Sequence, residues 1–240
     1  VRPRVFLDLP NGDAMTFTAG ATTEDRTGGF LKATTGVDVY QEERRTRRFD
    51  GAITARRLIG RNGSLHFAAS AVAQAVSHRF DDLRERDRRS TFFGEAWYQR
   101  RIGRGSGVIG LSYIRDALTQ RDFEGFDYTH SVPAVFGSVT YPVSSRMVAT
   151  VAGRCDDHNV HGSQCFPRAD LLVRMNDRVE ARLFGGFGYT SATPLADAAE
   201  ALGVHATIPV ATRSERLAAA GVDVRWRRAE LELGAAATYT

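Results

Sequence analysis

The chain has 240 residues, of which 42% are hydrophobic and 25% are charged, and this composition excludes an intrinsically disordered protein. It contains no apolar run of about eighteen residues, which excludes a transmembrane helix but not membrane-spanning strands. The net charge is +4, yet the basic residues are almost all arginines spread along the chain without a patch, so nucleic acid is not an expected partner.

Apolar and polar residues alternate with period two, which predicts about twelve strands. They span 2–9, 13–23, 46–58, 64–79, 88–101, 106–117, 128–142, 146–156, 165–175, 178–190, 214–226 and 230–240. Tight turns are predicted at 10–12, 60–63, 103–105, 144–145, 176–177 and 227–229. Longer polar loops are predicted at 24–45, 80–87, 118–127, 157–164 and 191–213. Because short and long connections alternate, the sequence predicts an up-and-down antiparallel meander.

The predicted strands each have an apolar face and a charged face. In 178–190, Val179, Ala181 and Leu183 lie opposite Glu180 and Arg182. Strands of ten or more residues match a tilted membrane crossing better than the strands of soluble sheets. Aromatic residues near both strand ends predict two interfacial girdles, formed by Trp226, Tyr141 and Tyr98 at the tight turns and by Tyr113, Phe187, Tyr189 and Tyr239 at the loops. The predicted fold is therefore an all-β transmembrane barrel, with a soluble β-rich binding module as the alternative.

Several motifs follow one another in a characteristic order between residues 132 and 203. They are Arg154 to His158, Gly162, Phe166-Pro167-Arg168, Asn176-Asp177, and Gly186-Phe187-Gly188 continuing to Pro194. This order resembles the barrel of TonB-dependent outer-membrane receptors, and the segments 22–29, 80–96 and 123–136 extend the resemblance over nearly the whole chain. The chain departs from the family at 188–191, where a basic stretch is usual, and at its two cysteines.

The resemblance implies a receptor in the bacterial outer membrane that imports a scarce ligand such as a ferric siderophore. Ligand binding by the long loops and a plug domain, followed by plug movement driven by the TonB energy-coupling complex, is the implied mechanism. No enzyme activity and no cofactor are expected, and the expected partners are outer-membrane lipid, TonB and a small ligand. A passive porin-like channel is the alternative in the same membrane.

Residues 1–240 are expected to be a partial barrel domain, because about twelve strands are roughly half of a 22-stranded barrel. The sequence has no recognisable TonB box, plug or closing strand, and both chain ends are predicted on the loop side. Two open sheet edges would not be tolerated in lipid, so this stretch is not expected to insert alone.

The candidate ligand-binding residues lie in the loops and on the charged face, and are Arg154, Asp157, His158, His161, Arg168 and Arg182. Asp156-Asp157-His158 and His161 have side chains that bind metals, but a polar loop is the favoured interpretation and no metal site is predicted. The other histidines, His130 among them, show no ligand spacing. Cys155 and Cys165 share the outward parity of adjoining strands, so either a disulfide that clamps the loop or two free thiols are consistent with the sequence.

No catalytic residue is predicted. Gly105 to Gly110 match G-x-G-x-x-G formally, but a turn precedes this stretch and a strand follows it, whereas nucleotide binding requires a following helix. No serine lies in a G-x-S-x-G turn before a helix.

Overall fold

The computed structural model describes residues 2–29, 41–122, 126–191, 214–228 and 231–239. They form one 12-stranded sheet in which each strand pairs with its neighbours in the chain, and all pairs are antiparallel. The strands are β1 (Arg4–Asp8), β2 (Ala14–Gly29), β3 (Gln41–Ile59), β4 (Gly63–Phe80), β5 (Leu83–Ile102), β6 (Gly105–Gln120), β7 (Tyr128–Pro142), β8 (Met147–His158), β9 (Gly162–Arg174), β10 (Val179–Thr190), β11 (Glu215–Arg228) and β12 (Leu231–Tyr239). The predicted up-and-down meander is confirmed.

A 3-10 turn at Pro10–Gly12 is the only helical element in the described ranges. No helix there is long and apolar enough to cross a membrane. Asn11 and Gly103 have φ of 71° and 57°, which the tight turns require and which asparagine and glycine tolerate.

Two of the predicted long loops are wrong, because the strands continue through them. The predicted loop 80–87 contains only a two-residue turn, Asp81-Asp82, and β4 and β5 pair up to Phe80↔Leu83. The predicted loop 157–164 shrinks to residues 159–161. Both stretches are polar on the two faces of the sheet, so the alternation that revealed the other strands is missing. The predicted loop 24–45 is also wrong at both ends, because β2 runs to Gly29 and β3 starts at Gln41. Residues 30–40, 123–125 and 192–213 of the remaining predicted loops lie outside the described residues.

In this sheet the apolar face is exposed and the polar face is more buried, which is the reverse of a sheet in a soluble protein. We call the face that carries Val139, Val151 and Leu183 the apolar face; these residues are 47–62% exposed. The opposite, polar face carries most of the buried residues, including His78, Ser112, His130, Asp156, His158 and Gln164. Apolar side chains facing outwards and polar side chains packed inwards are expected of a barrel wall with lipid outside and water inside.

The predicted girdles are present on the apolar face with one correction. Tyr141, Tyr113 and Phe187 are exposed there. Tyr189 instead stacks on Phe166 of the polar face, with ring centroids 4.9 Å apart. Pairing between β10 and β9 ends at Gly186↔Arg168, whereas pairing between β10 and β11 continues to Thr190↔Glu215, so Tyr189 has no ladder partner on β9 and its ring turns inwards on that side.

β1 and β12 each pair on one side only within the described part of the chain. Exposed edges of this kind are stable in a membrane only when further strands cover them.

Candidate functional site

A cluster of polar side chains lies on the polar face where β7, β8 and the turn 159–161 meet. Phe136↔Arg154 and Ala134↔Asp156 set the register of β7 and β8, so the even-numbered residues of both strands share this face. We call the group His130, His158, His161, Arg154 and Asp156 the loop-end cluster. It lies at the end of the sheet opposite the tight turns.

The three imidazoles of the loop-end cluster contact one another. The ring centroids of His158 and His161 are 4.5 Å apart, and those of His158 and His130 are 4.8 Å apart. Tyr128 packs on the outer side of His130 at 4.7 Å. The cluster is thus a compact group of rings in which His158 is central and 2% exposed.

The hydrogen bonds of His158 define its tautomer. Its Nδ1 accepts from the backbone N–H of Val160 at 3.0 Å and of His161 at 3.3 Å. The neutral ring therefore carries its proton on Nε2. That Nε2, like Nε2 of His161, is buried and has no hydrogen-bond partner among the described residues. A buried donor without a partner is costly in a folded protein, and it marks a place where an acceptor atom of a ligand would be stabilised.

Burial lowers the pKa of His158 and of His130, and the neighbouring imidazoles lower both further. Both histidines lie at the loop end of their strands, His130 five residues beyond the exposed Val135 on β7 and His158 seven residues beyond the exposed Val151 on β8. These histidines are neutral at neutral pH, because their pKa lies below the ordinary value of about 6.5.

Arg154 and Asp156 form the charged side of the loop-end cluster. Arg154 Nε donates to Asp156 Oδ1 at 2.6 Å, and the Tyr189 side chain interacts with the same carboxylate. Gln164, paired with Asp156 across the strands, is buried and donates to Ser214 at 3.2 Å, while its Oε1 has no partner among the described residues.

A second group on the polar face is centred on the Asp116 carboxylate. The Asp116 carboxylate accepts from Arg89 at 3.1 and 3.3 Å, from Thr91 at 2.8 Å and from Tyr128 at 3.1 Å. This network joins β5, β6 and β7 behind the histidines. Since the Asp116 carboxylate accepts four hydrogen bonds, it links these strands and has little capacity left for a ligand.

The six predicted ligand residues are not one site. Arg154, His158 and His161 are brought together in the loop-end cluster. Arg168 pairs with Ala152 and Gly186 further towards the tight turns, and Arg182 lies further still, ion-paired with Asp170. Asp157 lies on the opposite face, where it accepts from Ser163 Oγ at 2.8 Å. It is therefore not adjacent to the histidine rings.

Cys155 and Cys165 form a disulfide across β8 and β9, where they are directly paired in the register. Both lie on the apolar face, one residue before Asp156 and one after Gln164. The disulfide therefore closes the hairpin that carries His158 and His161.

Sequence reasoning missed His130, Tyr128, Phe166 and Tyr189 as members of the site. The pairing of β7 with β8 brings His130 beside His158, although they are 28 positions apart in the sequence. Parity on β7 could have placed His130 on the polar face, but the register across the strands could not be read from the sequence.

The site provides hydrogen-bond donors, an ion pair and aromatic rings, which are groups that can contact a ligand non-covalently. In the part of the chain that the structure describes, no group of three or more His, Cys, Asp or Glu side chains is arranged to hold a metal ion.

Known proteins resemble this chain in fold and not in sequence. No protein-family model matches the sequence, and no curated protein matches it significantly. Among solved structures, the chain is similar to the alcaligin outer-membrane receptor FauA of Bordetella pertussis, with a TM-score of 0.73 and 11% identity over 99% of this chain and 42% of the receptor.

The hemophore receptor HasR of Serratia marcescens gives a TM-score of 0.71 and 12% identity, covering 98% of this chain and 44% of HasR. The siderophore receptor PirA of Pseudomonas aeruginosa gives 0.68 and 12%, covering 97% of this chain and 50% of PirA. The chain thus spans half or less of these receptors' lengths, and it has the fold of part of their barrels.

Proposed function

We propose that residues 1–240 form part of the barrel domain of a TonB-dependent receptor in the bacterial outer membrane. The observation that carries this proposal is the reversed burial of the sheet, whose apolar face is exposed and whose polar face is packed. Strands outside this chain would pair with β1 and β12 and close the wall. The fold similarity to siderophore and hemophore receptors supports energy-coupled import over other uses of a barrel.

The imported ligand in this proposal is an iron complex such as a ferric siderophore, which is rich in oxygen acceptors. The loop-end cluster would receive it, because Nε2–H of His158 and the Arg154 guanidinium are donors on the polar face. Arg168, which is exposed on the same face, would contact the ligand as it moves towards the tight-turn end. Arg182 would extend that path, and no bond of the ligand is broken.

The test is uptake of radiolabelled iron from a panel of siderophores by cells that lack their own receptors and express the full-length protein. Uptake is expected to depend on TonB and on the proton-motive force. The His158→Ala variant is expected to take up the ligand with a KM raised about tenfold. Losing one buried hydrogen bond between neutral groups, with the ligand acceptor left unpaired, costs about 1.4 kcal/mol of binding free energy, which is a factor of ten in affinity. Uptake that persists in cells lacking TonB would contradict the proposal and indicate a passive channel.

A matched control is Asp157→Asn, because Asp157 lies on the other face of the same strand. This variant is expected to transport with an unchanged KM. An equal effect of the two substitutions would show that the hairpin has been disturbed as a whole and would remove His158 from the proposed site.

A further inference from the structure

The apolar face of β3, β4 and β5 changes character towards the loop end. On β3, Arg47 and Arg45 lie between the exposed Phe49 and the loop end. On β5, Ser90, Arg88 and Arg86 lie between the exposed Phe92 and the loop end. Arg45, Arg47 and Arg88 are exposed, and Arg86 is half-buried. The strands thus continue past the apolar region as a basic extension on the outside of the wall.

The register arranges these arginines around two small residues of β4. Ala75 pairs with Arg47 on one side and with Arg88 on the other, and Ser77 pairs likewise with Arg45 and Arg86. Because neighbouring strands lie about 4.8 Å apart, the two columns of arginine are about 10 Å apart at their backbones. We call this depression the outer arginine groove; it is lined by all four arginines together with Arg79 and Arg84 and has a volume of about 690 Å³.

The charges of the outer arginine groove are only partly neutralised. Arg45 pairs with Asp25 at 2.6 Å, Arg79 with Glu43 at 3.0 Å, and Arg86 with Asp122 at 2.7 Å. Arg47 and Arg88, which face each other across Ala75, make no ion pair with any described residue. Within the described residues, two guanidinium groups without an ion pair therefore remain, one on each side of the Ala75 methyl group.

We propose that the outer arginine groove binds the phosphate head group of an anionic membrane glycolipid. Guanidinium groups bind phosphate oxygens in pairs, and two of them at this spacing can hold one phosphate from both sides. A smaller depression of about 380 Å³ lies beside the groove on the apolar side; it is lined by Phe49, Ala71, Ala73 and Phe92 among others, with Arg115 next to Phe92. It suits an acyl chain of the same lipid.

This inference rests on the proposed membrane location, and the experiment separates the two. The full-length protein is purified in a mild detergent, and its insertion into bilayers is verified by heat-modifiable migration in a gel. Binding of bis-phosphorylated lipid A, of its monophosphorylated form and of inorganic phosphate is then measured by native mass spectrometry and by titration. Failure to insert would contradict the proposed function, whereas insertion without lipid binding would contradict only the inference.

The double substitution Arg47→Ala/Arg88→Ala is expected to weaken binding of bis-phosphorylated lipid A about 30-fold, since each arginine near a lipid surface contributes about fivefold. Ala75→Glu, which keeps both arginines and places a carboxylate between them, is expected to weaken binding at least as much. The control Arg48→Ala/Arg56→Ala removes the same charge from the polar face of β3 and is expected to bind the lipid as the unmodified protein does.

Three results would overturn the inference. The first is unchanged lipid binding by both groove variants. The second is an equal loss in the polar-face control, which would indicate a response to net charge alone. The third is inorganic phosphate binding as tightly as the lipid, which would make the groove a site for a free anion.

Discussion

A single arginine on the apolar face distinguishes a lipid-facing wall from a sheet surface in water. Val151 is 62% exposed and is flanked on this face by Val139 and Ala169. It lies four residues into β8, about 14 Å along the strand and about 10 Å above the tight-turn end after a tilt of about 45°. This depth is within a few Å of the middle of an apolar band about 25 Å tall.

Val151→Arg is therefore expected to destabilise the inserted full-length protein by about 2–4 kcal/mol, the cost of an arginine near the midplane of the bilayer. The adjacent Thr150 lies on the polar face opposite Asp170, so Thr150→Arg is expected to lower the stability by only about 1 kcal/mol or less, from loss of the hydrogen bond between the hydroxyls of Thr150 and Thr140. The free energy of unfolding is measured in lipid vesicles by guanidinium titration followed by tryptophan fluorescence. Equal, small effects of the two substitutions would refute the assignment of the faces.

Three further predictions concern the loop end. Cys155→Ser/Cys165→Ser, or reduction of the disulfide, is expected to lower the free energy of unfolding by about 2–3 kcal/mol in the chain-entropy model, measured with and without reductant. Burial lowers the pKa of His158 in the folded protein, so the contribution of His158 to the free energy of unfolding is complete above the unfolded pKa of about 6.5 and is lost as the pH falls below that value. The His158→Gln variant is expected to show a weaker dependence of this free energy on pH. Asp81 has φ of 49° and its Oδ1 accepts from the backbone N–H of Gln41 at 2.8 Å, so Asp81→Val is expected to cost about 1–2 kcal/mol. Asp81→Asn, which keeps the acceptor and tolerates this φ, is expected to cost almost nothing in the same titration; equal effects would contradict the tight turn.

The sequence predicts the meander well where one face of a strand is apolar. Strands such as Val179–Thr190 alternate because one side faces lipid and the other faces water, and period two is visible in the residues themselves. Beyond the apolar band both faces are wet. The residues of β4 and β5 around Asp81-Asp82 are therefore polar on both sides, and they resemble a loop although the ladder of hydrogen bonds continues.

The candidate site was less predictable, because it depends on the register between strands. Arg154 and His158 could be placed on the polar face from parity, whereas the contact of His130 with His158 requires the pairing of β7 with β8. Tyr189 follows the apolar parity of its strand, yet it turns to Phe166 once its ladder partner on β9 is lost. Such local departures arise from three-dimensional pairing, which one sequence does not record.

The most direct test of the central claim is a nitroxide scan along β7 in the full-length protein inserted in lipid. Oxygen, which is enriched in lipid, and a water-soluble nickel complex are compared as relaxing agents at each labelled position. The account predicts that oxygen dominates at the apolar-face positions Val135, Gly137 and Val139, and that the nickel complex dominates at the polar-face positions Ser138 and Thr140. Access of the nickel complex to Val135 and Val139 would contradict it.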